Sequence, residues 1–211
     1  MNAKRAFGGI ALLSWFAASP AFAHHALGGK LPVDFGTGFV SGLAHPVINI
    51  EHFAFVIAVG VVTAVAQGSW LLPVWFVGGT ILGCLASISG FSPPFIAWYV
   101  PISVAILGIA LALGRSRLGL ADIGFFLVAG FLHGAVYAET IIGSENNSVR
   151  GYLLGFALIQ VAVAMGAMMA AYTLWCGDKL YANARVVGGV VAGVGLTILA
   201  QTGIATLFPA L

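Results

Sequence analysis

The sequence predicts an all-α integral membrane protein. It reads as a bundle of six transmembrane helices after a cleavable signal peptide, with the first span broken at Pro46. Three observations predict this. Of the 211 residues, 61% are hydrophobic and only 7% are charged, whereas soluble domains carry about a quarter charged residues. Six apolar runs follow the N-terminus, each near the length needed to cross a bilayer. The N-terminus itself has the three-part pattern of a secretory signal.

The elements follow in chain order. Lys4 and Arg5 form a basic start, Phe7–Ala18 an apolar stretch, and Ala21-Phe22-Ala23 a cleavage site after Pro20. Residues 1–23 are therefore the expected signal peptide, and 24–211 a single membrane domain beginning His24-His25. The runs are 36–66, 70–89, 94–113, 121–142, 151–176 and 186–208. The first is too long for one straight span. Pro46 has no N–H to offer the Gly42 carbonyl, so the helix should divide there into 36–44 and 47–66. Broken helices at membrane depth are tolerated where freed carbonyls face protein, water or an ion.

Loop charges set an expected orientation. With the mature N-terminus outside, Arg115, Arg117, Lys179 and Arg185 fall inside, and Lys30 and Arg150 outside. That asymmetry follows the positive-inside rule. Six spans return the C-terminus to the outer side. Small-xxx-small pairs at Gly38/Gly42, Gly79/Gly83, Gly130/Gly134, Gly151/Gly155 and Gly189/Gly193 mark expected close helix contacts.

The composition also excludes functions. Eight basic residues scattered among loops make no nucleic-acid patch. Cys84 and Cys176 have neither disulfide-framework nor CxxC spacing, so they read as packing residues. No nucleophile–base pair or hydrolase motif is present, so the expectation is a non-enzyme without a tightly bound cofactor.

The chemistry-bearing residues lie within the apolar runs. Ionisable groups in hydrocarbon are costly unless paired, hydrated or metal-bound, so they mark function by default. One cluster is His45, Glu51 and His52; another is His133, Tyr137 and Glu139. On a straight helix His45 and His52 share a face but stand about 10 Å apart along the axis, too far for one ion unless the proline distorts the segment. His45 lies nine residues into the first run, and His133 nine residues before the end of the fourth. Counted this way, His45 pairs with His133, Glu51 and His52 lie deeper, and Glu139 lies above. With Asp34 and the N-terminal His24 and His25, these make a ladder of ligands. Imidazole with carboxylate suits Ni²⁺, Co²⁺, Zn²⁺ or Cu²⁺ rather than Mg²⁺ or Ca²⁺. The alternative reading is interhelical hydrogen bonding, which Gln160 also suits.

At these residues the chain resembles the HupE/UreJ family of bacterial membrane proteins, which is associated with hydrogenase and urease gene clusters. The matching stretches are His24-His25, the run from His45-Pro46 to Glu51-His52, and Phe131-Leu132-His133-Gly134 through Glu139. The family's Gly and Asp before the second motif histidine are here Asn49 and Glu51, so the carboxylate is kept and is one methylene longer. The resemblance implies a secondary permease that moves Ni²⁺ first, Co²⁺ next, for metalloenzyme assembly; copper and zinc stay open. It leaves two further possibilities: a homo-oligomer or a metalloenzyme-maturation complex. The implied ligands are His24, His25, His45, Glu51, His52, His133 and Glu139. The rival classes are a non-transporting accessory subunit and a bis-histidine haem protein.

Overall fold

A computed structural model describes residues 30–66, 71–115, 119–175 and 177–208. The expected signal peptide, His24, His25, Trp70, Arg117 and Cys176 lie outside the described residues. Seven α-helices and no strand are present among the described residues: α1 (Phe35–Ile48), α2 (Ile50–Val65), α3 (Leu71–Ile88), α4 (Ile96–Ala112), α5 (Leu120–Tyr137), α6 (Asn146–Leu174) and α7 (Asp178–Leu207). A single 3₁₀ turn, Ala138–Thr140, follows α5. Four helices are long and apolar enough to cross a membrane, or five if the bent pair α1 and α2 is one span. Helix α4 is apolar but shorter, at 17 residues. The chain is thus a multi-pass helical membrane protein.

The first span breaks three residues later than the proline suggests. Pro46 lies inside α1, where it occupies the last turn, and the chain bends by 80° at Asn49. The reason is local. Asn49 adopts an extended backbone (ψ 110°) that ends α1 and caps α2. Its side-chain Nδ2 donates to the His45 carbonyl at 3.2 Å, and its backbone N–H reaches the same oxygen at 3.4 Å. The helix end is closed there rather than at the proline. The loops also shrink. Residues 177–185, expected as a loop, are mostly the first turns of α7, whose Ala, Leu, Lys and Arg residues are good helix formers.

Helix α1 starts on an Asp34 cap. Thr37 N–H donates to Asp34 Oδ1 at 2.7 Å, and Asp34 N–H donates back to Thr37 Oγ1 at 3.1 Å. From there α1 runs parallel along α6. Gly38 and Gly42 face the carbonyls of Ser148 and Tyr152, and Gly151 and Gly155 face those of Phe35 and Phe39; a Cβ at any of these would overlap them. The same device joins α3 to α5 through Gly79/Gly83 and Gly130/Gly134. The fifth expected pair does not. Gly189 and Gly193 face nothing within 4 Å, and α7 meets α4 instead through Gly188 and Gly195, with Gly108 opposite. Gly188 and Gly195 fall outside the pattern because α7 turns a different face to its neighbour. Helix α2 lies centrally, against α4, α6 and α7, and is almost wholly buried after His52.

Candidate functional site

The 80° break creates the site. It turns the C-terminal end of α1 and the first turn of α2 toward one cavity of about 610 Å³. His45, Glu51, His52 and Glu139 all line it. The far walls come from the start of α4 (Ile96, Val100) and the end of α7 (Ile198, Thr202). Among the described residues lining the cavity, none is Lys or Arg. Two carboxylates and the negative end of α1 give its lining an acidic character. Glu139 is exposed, Glu51 half-buried, and His45 and His52 buried.

The histidine pairing differs from the expected ladder. His52, not His45, meets His133: their Nδ1 atoms are 2.9 Å apart. Depth counting assumed a straight first span, and the bend at Asn49 removes that assumption. His45 lies in the same neighbourhood, its ring centroid 5.8 Å from that of His52. The bend thus brings the two rings nearer than the roughly 10 Å axial separation expected for a straight helix. Tyr137 sits between them, with ring centroids 4.9 Å from His45 and 4.4 Å from His52. Its hydroxyl is buried without a hydrogen-bond partner among the described residues.

Two residue sets support this constellation. On one side Thr140 Oγ1 lies 3.5 Å from His45 Nδ1 and donates to Tyr137 O at 2.9 Å. Tyr152 donates its hydroxyl to the same carbonyl at 3.0 Å. On the other side Ser103 Oγ lies 2.9 Å from His133 Nε2. His133 is fully buried and does not line the cavity. Aromatic rings pack around it: ring centroids lie 4.5 Å apart for Phe55 and His133, 5.0 Å for Phe55 and Phe76, and 6.4 Å for Phe55 and Phe126.

Chemically, the arrangement offers nitrogen and oxygen donors without a ready-made chelate. Among the described residues no three of His, Cys, Asp and Glu converge to hold one ion. The 2.9 Å separation of His52 and His133 is a hydrogen bond, shorter than the ~3.3 Å between two nitrogens bound tetrahedrally at 2.0–2.1 Å. A captured ion would have to recruit ligands by movement. Ser103, Thr140, Tyr152 and the capping role of Asn49 were not legible in the sequence. Ser103 and Tyr152 lie in apolar runs with no spacing signal, and Thr140 is marked only by its neighbour Glu139.

Gln160 is likewise a bonding residue. It is buried and donates to Phe156 O at 3.0 Å and toward Thr80 Oγ1 at 3.4 Å. Cys84 is a buried packing residue.

Fold and site together define a polytopic helical membrane protein with an imidazole–carboxylate cavity at a broken helix. The family described as HupE / UreJ protein matches residues 11–198. Protein HupE of Rhizobium leguminosarum bv. viciae is 31% identical over 190 residues, covering 86% of this chain and 92% of the relative. The chain belongs to the HupE/UreJ family. No solved structure matches it.

Proposed function

We propose that the protein is a six-span secondary permease for a divalent transition-metal ion, Ni²⁺ first and Co²⁺ second, supplying metalloenzyme assembly. Its role is non-catalytic. The single observation that carries this reading is the cavity at the α1–α2 break, which His45, His52, Glu51 and Glu139 line together. Discontinuous helices that place polar groups at mid-membrane are a recurrent way to build an ion site in transporters. The helix directions fit six crossings if α1 and α2 act as one. Gly38 faces Ser148 and Gly42 faces Tyr152, so α1 and α6 run parallel; Gly79 faces Leu127 and Gly83 faces Phe131, so α3 and α5 run parallel; Gly108 faces Ala192 and Gly188 faces Ala112, so α4 and α7 run antiparallel. The cavity then opens to the periplasm, where α4 begins and α5 and α7 end, in a bacterial inner membrane with both mature termini outside. The His24-His25 start would serve as an outer capture point.

The test is ⁶³Ni²⁺ uptake by cells expressing wild type, His45→Ala, His52→Ala or His133→Ala at matched protein levels. Each variant should lose at least ~10-fold of uptake, the scale on which metal sites respond to loss of a supporting partner. Equal accumulation in all four strains would remove the permease reading. One observation favours a second reading, a non-transporting accessory subunit. His52 and His133 are bonded to each other, and no three ligands converge among the described residues. Co-purification with a maturation partner, without uptake, would select it.

A further inference from the structure

We propose that Ser103 is a positioning residue for the cavity. Through His133 it sets the tautomer of His52, so that His52 presents Nε2 as its lone-pair nitrogen. The metal-binding consequence rests on the function proposed above; the relay itself rests only on the contacts.

The argument is proton bookkeeping along one line of atoms. Ser103 Oγ lies 2.7 Å from the Val100 carbonyl oxygen. A carbonyl has no proton, so the hydroxyl donates that bond. Serine has a single O–H, and its 2.9 Å contact with His133 Nε2 must therefore be donated by the ring. A neutral imidazole carries one N–H. With that proton on Nε2, His133 Nδ1 can only accept. The 2.9 Å contact between the two Nδ1 atoms is then donated by His52. A neutral His52 with its proton on Nδ1 keeps its lone pair on Nε2, the form in which imidazole binds a metal. His52 lines the cavity and His133 does not.

The direction matters. Were the chain reversed, the proton of neutral His52 would sit on Nε2, and a metal could bind there only after displacing it. Ser103 blocks the reversal because its one proton is committed to its own helix backbone. Outer partners that fix a ligand's tautomer in this way typically matter 10–100-fold for affinity. Val100 and Ser103 lie on α4, His133 on α5 and His52 on α2, so three helices must hold register for the relay to exist.

The experiment uses the purified full-length protein in nanodiscs with ¹⁵N-labelled histidine. Without metal, NMR should show wild-type His52 protonated at Nδ1 and bare at Nε2, and His133 the reverse. Ser103→Ala should mix the two tautomers of His52, and Ser103→Thr, which keeps the hydroxyl, should restore the wild-type pattern. Titration with Ni²⁺ alone should show Ser103→Ala binding ~10-fold or more weakly, with Ser103→Thr close to wild type. Wild-type His52 protonated at Nε2 would overturn the assignment without any variant having to fold. So would an unchanged tautomer pattern in Ser103→Ala. If wild type shows the assigned tautomers but binds no Ni²⁺, the relay stands and the permease reading fails.

Discussion

Glu139 stands exposed at the cavity and Glu51 half-buried on its wall, so the two carboxylates should act differently. An exposed charge draws cations in but is screened by salt. Glu139→Gln should raise the half-saturating metal concentration for uptake by roughly 2–10-fold, a steering effect. Maximal uptake should hold, and the difference should shrink in high salt. Kinetics at two ionic strengths check this. Asp34 carries a different role. The backbone N–H of Thr37, and then its hydroxyl, hold the carboxyl below its ordinary value of 3.8. A lowered carboxylate pKa contributes stability that is full above the ordinary value and lost as pH falls through the lowered one. The start of α1 should therefore keep its amide protection at Thr37 from pH 7 down to about 5 and lose it only below 3.8. Hydrogen exchange measured across that range decides. Any change in uptake between pH 5 and 8 then belongs to groups other than Asp34.

At the scale of elements, the glycine contacts set how closely helices approach, since lipid supplies no hydrophobic drive for them to associate. A Cβ at Gly83 would overlap the backbone carbonyl of Phe131, and backbone cannot swing aside as a long side chain can. Gly83→Ala should destabilise the bundle by about 1–3 kcal/mol, the usual cost of overpacking. Gly78→Ala on the same helix meets nothing within 4 Å and should change little. Unfolding in detergent, followed by circular dichroism, compares the two directly. The same contacts hold α5 beside α3, and so hold His133 and its neighbours in place. That makes Gly83 relevant to the site without touching it.

For the whole molecule, the six-crossing topology makes a labelling prediction. In a Cys176→Ser background, a cysteine introduced at Asn147, exposed at the start of α6, should react with an impermeant maleimide in intact cells. A cysteine at Lys179, exposed at the start of α7, should react only after the membrane is opened. Cys84, fully buried, should stay silent in both. Labelling of both positions from the same side would break the topology.

What the sequence by itself determined is the class of molecule and the roster of chemical groups. Hydropathy reads out helices of a membrane protein because backbone in lipid must satisfy its own hydrogen bonds, which leaves few alternatives. His45, Glu51, His52, His133 and Glu139 stand out for the same energetic reason: polar groups are scarce in apolar runs. Four of the five glycine pairs were also legible. The site's geometry was not. Pro46 announced a disruption, but Asn49 decided where it fell, because the carbonyl of His45 found partners in the Asn49 side chain and N–H. An 80° bend three residues away from the expected place changes which imidazoles meet. Ser103 entered the site because α4 happens to pass behind His133, a contact between residues 30 apart with no periodic signature. Only the tertiary structure could decide such pairings, because they depend on how helices cross rather than on what each helix contains.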